Sequence, residues 1–434
     1  MSNFQCPMSN QIQIKKFQIS KIIQALLLLF LFLLPWQTRW IYESRFLNGG
    51  FWEYGSSSLY ATEILLWLII VLFGVERLGN REVWKNIFSE ERYKQNKKLL
   101  HCYIVTLLFL GLSILLSLSS TISFNFVFHI IEAACFAVIM SATKDLPLKW
   151  LALWLGGVVQ GIFAVIQFFF QEVFANKWLG LASHNGKELG QFVVEFGDQR
   201  WLRAYGSFGS PNVLGGFLAV MFVVGLVLFL DVGGRGERPF APTRRWQIII
   251  TVGQLAILSG LIFSFSRGAW IAAVVGVVSV IASVAKQSPV LQNQVGAPDG
   301  GLLRRSSRDS LLAMTAACLL LITFFFITLK PLFLTRIQSQ GRLENKSITE
   351  RLTQYQQFSE IFWKHPLLGV GPGTYTLALY QNNSTLPVWR YQPIHNIYLL
   401  MLVEIGLVGF AIVTLLHCYI VTLLIKRNKL FLPI

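Results

Sequence analysis

Charge is scarce in this chain. Only 13% of its 434 residues are Asp, Glu, Lys or Arg, against 54% that are apolar. Soluble domains carry about 25% charged residues, because a solvated surface needs them. Soluble, coiled-coil, collagen-like and disordered classes are excluded on that ground. Acids are the scarcer sign, 21 against 37 Lys and Arg. Cysteine is rare as well. Cys6, Cys102, Cys135, Cys318 and Cys418 show no CxxC or other paired spacing, so roles as buried small hydrophobes are expected instead of disulfides or metal binding. No small-x-small cleavage site follows the apolar Leu26–Leu34 stretch, which is therefore expected to remain as a first span.

Long apolar runs are what the chain has in excess. A helix needs roughly 20 residues to cross the hydrocarbon, and ten runs qualify: about 21–36, 59–75, 99–119, 122–142, 148–170, 212–230, 247–265, 268–285, 311–329 and 405–425. The last follows an apolar stretch starting at Ile394, which a broken helix would accommodate. The expected fold is an all-α polytopic membrane protein of about ten transmembrane helices, twelve at most, forming one integral membrane domain over 1–434. With ten spans, 23 of the 37 Lys and Arg residues fall on one side, together with both termini. The positive-inside rule makes that side cytoplasmic. It also explains the formal net charge of +16 without nucleic acid; the bilayer is the expected partner.

Two segments on the other side are too long for simple turns, 171–211 and 330–396. Loops of that length usually carry function. Helical pieces are expected in both. Within the second, Leu352, Tyr355, Phe358 and Phe362 predict an amphipathic helix over 349–363, ended by Pro366 and followed by a bend at Gly369, Gly371 and Gly373. The same face holds Arg203, Arg267, Arg351 and His395. Arg267 is expected to lie deeper than Arg203, since apolar runs flank it on both sides. Arginines gathered at a membrane surface suit a phosphate- or pyrophosphate-bearing lipid, because a guanidinium matches phosphate oxygens through paired charge-assisted hydrogen bonds. His395 has the right residue type to take a proton from an attacking hydroxyl. The long segments contain no HExxH, DxD or His cluster, so no metal or other cofactor is expected, and a leaving group would be stabilised by arginines. Glu63, Glu132 and Glu404 are the acids inside or at the edge of spans, with polar packing or pairing as their default role.

Four stretches resemble the O-antigen ligase and O-antigen polymerase superfamily. RAYGSFGSPNVL (203–214) is similar to its R-x-x-G-x-F-x-x-P-N segment, and SFSRGAW (264–270) to its S-x-S-R-G turn. ERLTQYQQFSEIFWKHPLLGVGPG (350–373) is similar to its R…W…P-x-x-G-x-G-x-G segment, and HNIYLLMLVEIGLVG (395–409) to its H-N-x-x-L…E-x-G-x-x-G signature. The resemblance implies a GT-C-like bundle. It implies inverting, metal-independent transfer of a glycan from undecaprenyl-pyrophosphate to a hydroxyl of a glycan, glycolipid or protein, at the outer face of the cytoplasmic membrane. It implies Arg203, Arg267, Arg351 and His395 as catalytic residues, and Asn212, Ser266, Glu350, Asn396 and Glu404 on the substrate-binding side. The chain departs from some ligases in having ten spans and a single histidine at 395. The alternatives are a protein O-glycosyltransferase of the same superfamily, or a transporter or flippase of an anionic solute or lipid-linked glycan; the latter should show paired repeats with broken helices.

The charge distribution makes a direct prediction. Cysteines introduced at Gln381 or Asn176 react with an impermeant thiol reagent in intact spheroplasts. Labelling only after permeabilisation would refute the sidedness.

Overall fold

The computed structural model describes residues 7–78, 90–143, 146–231, 244–292, 300–338 and 342–430. Each of the ten expected runs falls on a helix: α1 Pro7–Leu33, α2 Ala61–Leu78, α3 Glu90–Leu115, α4 Ser120–Ala142, α5 Leu146–Phe170, α6 Pro211–Asp231, α7 Arg244–Phe263, α8 Arg267–Gln292, α9 Gly300–Thr328 and, past three further helices, α13 Ile397–Leu430. Six of these, α4, α5, α6, α7, α9 and α13, are long and apolar enough to cross a membrane. Shorter apolar stretches lie at Ile19–Leu33 of α1, Ile104–Leu115 of α3 and Arg267–Ala282 of α8. The outer surface of the bundle is apolar: Leu108, Leu115, Leu320 and Ile327 are each more than half exposed. Water would not tolerate such a surface, and lipid does. The chain is a multi-pass helical membrane protein. Of the 23 Lys and Arg residues that assign sidedness, Arg81, Lys85, Lys144, Arg235 and Arg238 lie outside the described residues.

The packed centre is made by α5, α6, α7 and α8, with Trp154, Phe168, Leu214, Ile257, Phe263 and Phe265 in one cluster. α5 and α7 cross where Gly161 meets Gly260; a Cβ on Gly161 would stand 2.5 Å from the Ala256 carbonyl oxygen. Small residues let membrane helices approach this closely, which gains packing where burial alone offers little. Lys149 counts as a cytoplasmic loop charge by sequence, but it is 1% exposed. Its ammonium donates to the Met140 and Thr143 carbonyls at 3.1 and 2.7 Å, closing the C-terminal end of α4.

The expectation of helical pieces in both long segments holds for one of them. The second contains α10 Lys330–Gln338, α11 Arg342–Phe362 and α12 Tyr375–Asn382. The amphipathic helix thus starts seven residues before 349 and ends one before 363. The first contains no helix; it folds as two hairpins, β5 Glu172–Val173 with β6 His184–Asn185, and β7 Val193–Phe196 with β8 Gln199–Leu202. A third stretch passed over in the sequence, 34–60, forms two more ribbons, with β1 Arg39–Glu43 pairing β4 Ser57–Tyr60 and β2 Phe46–Leu47 pairing β3 Gly50–Phe51. It ties the long segments together. Thr38 Oγ1 donates to the Trp178 carbonyl at 2.8 Å, and the Asn48 amide donates to the Ser384 and Leu386 carbonyls, each at 2.7 Å.

The last helix is broken, as the apolar stretch from Ile394 allows. Gly406 (φ 65°, ψ −177°) interrupts α13. The freed Val403 and Glu404 carbonyls accept from Val370 N–H at 3.0 Å and Gly371 N–H at 2.9 Å, while Leu407 and Val408 N–H donate to the Pro366 and Leu367 carbonyls at 2.9 and 3.1 Å. The P-x-x-G-x-G-x-G stretch is therefore the part that repairs the kink, with Gly369, Gly371 and Gly373 all at positive φ. A Cβ on Gly406 would lie 2.2 Å from the Leu367 oxygen. Gly406→Ala should lower stability by about 1–3 kcal/mol, read as a reduced melting temperature in detergent. Gly74→Ala, where the added carbon meets open space, should not; equal effects would show that the repaired kink carries no special strain.

Candidate active site

The site is organised around the tight turn between α7 and α8. Phe265 sits there at φ 47° and is fully buried, an uncommon conformation for a bulky residue. Its ring packs against those of Phe168, Trp270 and Phe333. The turn leaves carbonyls without helical partners, and arginines answer them. Arg203 Nε donates to the Ser264 carbonyl at 2.8 Å, and Arg336 Nε to the Phe265 carbonyl at 3.1 Å. Arg267, the first residue of α8, donates through Nη1 to the Arg336 carbonyl at 3.2 Å. Two guanidinium groups thus bond to the turn, and Arg267, which follows it, bonds to the backbone of Arg336. The order of burial reverses the sequence expectation: Arg203 is 3% exposed, whereas Arg267 is half-buried. Arg203 is the deeper because its chain segment, and not only its side chain, is inserted among the helices.

That segment, 203–207, is irregular backbone buried in an apolar bundle, so each polar group needs a protein partner. Two glutamines of α5 supply them. Gln167 Oε1 accepts from Tyr205 N–H at 3.0 Å and Gly206 N–H at 2.8 Å, and its amide donates to the Gly206 carbonyl at 2.8 Å. Gln160 Oε1 accepts from Ser207 N–H at 2.8 Å. The far end of Arg203, Nη2, donates to Asn212 Oδ1 at 2.6 Å. Asn212 is exposed and Ser266 is buried. Beside them His184 stacks on Tyr205, ring centroids 4.0 Å apart. Burial holds the His184 imidazole below its ordinary pKa and pushes the Tyr205 phenol up.

Next to the turn lies an apolar cavity of about 530 Å³. Its lining includes Trp270, Phe333 and Ile337, sequence neighbours of Arg267 and Arg336, with Phe222, Leu258 and Met314 further in.

Arg351 and His395 form a second group. Arg351 lies on α11 and is exposed, with no hydrogen bond or ion pair among the described residues. One turn on, Gln354 Oε1 accepts the backbone N–H of His395 at 3.1 Å. The His395 side chain is exposed. Asn396 caps α13, its Oδ1 accepting from Tyr398 and Leu399 N–H at 3.0 and 3.3 Å. Glu350 pairs loosely with Lys346 at 4.0 Å. Glu404 is buried, and its carboxylate accepts Tyr375 N–H at 3.4 Å, which makes it part of the repaired kink. α11 links the two groups. Arg342 at its start pairs with Glu195 of β7 at 2.9 Å, and Arg351 follows about 13 Å along the axis at 1.5 Å per residue.

Residues 252–414 match the family described as O-antigen ligase. Over that segment the chain is similar to this superfamily. No curated protein and no solved structure matches it. The O-antigen ligase segment contains Ser266, Arg267, Glu350, Arg351, His395, Asn396 and Glu404, as well as Arg336, which the motifs passed over; Arg203 and Asn212 lie before it. Another group escaped sequence reading because two helices supply it: Glu63 of α2 with His129 and Glu132 of α4.

Arg203 and Arg351 should behave differently when removed. Arg203→Ala leaves the Ser264 carbonyl without its Arg203 donor, at a cost of about 1–3 kcal/mol. Arg351→Ala, at an exposed and unpartnered site, should stay within about 0.5 kcal/mol of wild type. Thermal unfolding in detergent measures both. A destabilised Arg351→Ala beside an unaffected Arg203→Ala would reverse these assignments.

Proposed function

We propose that this protein transfers a glycan from undecaprenyl-pyrophosphate to an acceptor hydroxyl at the outer face of the cytoplasmic membrane. The observation that carries the reading is the bonding of Arg203 and Arg336 to the carbonyls of one turn, with Arg267 just after it bonded to the Arg336 carbonyl, beside an apolar cavity. A polyprenyl pyrophosphate has the matching halves: a long apolar chain for the cavity and a compact dianionic head for the guanidiniums. Arg351, without a hydrogen bond or ion pair among the described residues, would add positive charge from α11. The O-antigen ligase match over 252–414 supports glycan transfer as the class of chemistry.

In the transfer the acceptor oxygen bonds to the anomeric carbon from the side opposite the pyrophosphate. The carbon–oxygen bond to the pyrophosphate breaks, and its electron pair leaves with the phosphate. Configuration inverts. Charge grows on the leaving group, where pre-placed arginines stabilise it without reorganising. The acceptor proton passes to the His395 imidazole, which is exposed and held through its backbone by Gln354. Asn396 orients His395 by capping the helix it begins. No divalent ion takes part in this step. Ser266 and Asn212 position the turn and Arg203, Glu404 braces the repaired kink, and Glu350 stands on the substrate-binding side next to Arg351.

Purified variants assayed with lipid-linked glycan test the proposal. Arg267→Ala and Arg351→Ala should each lose about 10²–10³ in rate, and Lys at either place should not restore it, because the paired geometry is lost. His395→Gln should retain donor binding and fail at transfer by about 10²–10⁴. Wild-type transfer by a folded Arg267→Ala protein would overturn the pyrophosphate role, and wild-type transfer by His395→Gln across pH 5–8 would remove the base.

A further inference from the structure

From the geometry we infer that Glu63, His129 and Glu132 form a binding site for one first-row divalent metal ion of the zinc type, joining α2 to α4 and separate from the arginine turn. Glu63 lies in the first turn of α2; His129 and Glu132 are one turn apart on α4. One ligand atom from each of the three lies within 4.8 Å of the other two. His129 Nδ1 is 2.8 Å from Glu132 Oε2 and 3.8 Å from Glu63 Oε1. Ligands bound tetrahedrally at about 2.0–2.1 Å stand about 3.3 Å apart, so the two separations bracket the value a metal would impose.

The carboxylates are also held for that use. Each is anchored through one oxygen, which leaves the other turned to the shared point. Glu132 Oε1 accepts the Trp67 indole N–H, and Glu63 Oε2 accepts the Tyr60 backbone N–H at 3.2 Å. Such outer partners orient metal ligands. Trp67 is itself fixed by stacking on Phe128, centroids 5.2 Å apart.

Charge is the second reason. The Glu63 and Glu132 side chains are 10% and 7% exposed, and among the described residues the ion pairs of both are with His129 alone. Two carboxylates at one site within an apolar bundle repel each other and are poorly solvated. One imidazole offsets at most one of the two charges; a dication offsets both. A third observation concerns access. The three residues line a cavity of about 380 Å³ that also includes Gln37, Tyr60 and Thr62. It gives an ion a route in and leaves room for water in the remaining coordination position. An imidazole in the set favours zinc and its neighbours over magnesium or calcium, which take oxygen ligands.

The test uses the full chain in detergent, purified without a polyhistidine tag, stripped with chelator and dialysed against zinc. Bound metal is measured by mass spectrometry and thermal unfolding is followed with and without zinc. The wild type should retain stoichiometric zinc and melt at a higher temperature with it. Magnesium at the same concentration should do neither. Glu63→Gln combined with Glu132→Gln should retain none. His129→Gln supplies a second variant, because His129 is half exposed and its removal leaves the packing of α2 on α4 in place; it should lose zinc retention and the thermal shift while keeping the zinc-free melting temperature. Zinc retained undiminished by His129→Gln, or a wild type whose melting temperature zinc does not move, would overturn the proposal. Neither result depends on glycan transfer, so the two readings stand or fall separately.

Discussion

A backbone group that leaves its helix inside an apolar bundle must be answered by the protein itself, because no water reaches it. The candidate site depends on this constraint. The 264–266 turn, the 203–207 segment and the break at Gly406 each expose carbonyls or amides within the packed region. Arg203, Arg336, Gln160 and Gln167 answer the first two. The 366–371 stretch answers the third, backbone to backbone. Rigidity follows, since these contacts are buried or half-buried and each has a geometric requirement.

The same constraint explains why arginines gather here. A guanidinium has five donors in a fixed fork. Arg203 gives one to the Ser264 carbonyl and one to Asn212, so the side chain is already oriented before any anion arrives. Pre-orientation of this kind is what makes a charged group useful to a transition state, because nothing has to be rearranged when charge develops. Arg351 is the contrast: exposed and unpartnered, it sits on a helix fixed at one end by the Arg342–Glu195 pair and further along by Gln354.

The irregular segments share one end of the bundle because they hold each other. The 34–60 ribbons hydrogen-bond to Trp178 in one long segment and to Ser384 and Leu386 in the other, and Ser207 Oγ donates to the Pro35 carbonyl at 2.6 Å. Strands this short have little stability alone. They persist because helices on both sides fix their ends. The Glu63–His129–Glu132 group lies beside this layer, with Tyr60 of β4 both lining its cavity and holding Glu63.

The sequence alone determined the class, the ten helical runs and the resemblance to the O-antigen ligase family, since apolar length and the order of short motifs are local properties of the chain. It also singled out Arg203, Arg267, Arg351 and His395 as candidates, and placed the glycine bend before the last span. What it could not determine was contact between distant residues. That Arg203 lies deeper than Arg267, that Arg336 joins them, that Asn396 caps a helix and Glu404 braces a kink, and that Lys149 is buried all depend on which segments meet. The hairpins of 171–211 were illegible for a related reason: two- to four-residue strands carry too few side chains for a period to show. The three-ligand group was invisible because Glu63 and Glu132 are sixty-nine positions apart and come together only when α2 packs on α4. Local periodicity writes helices into a sequence; packing decides which polar groups the helices bring face to face.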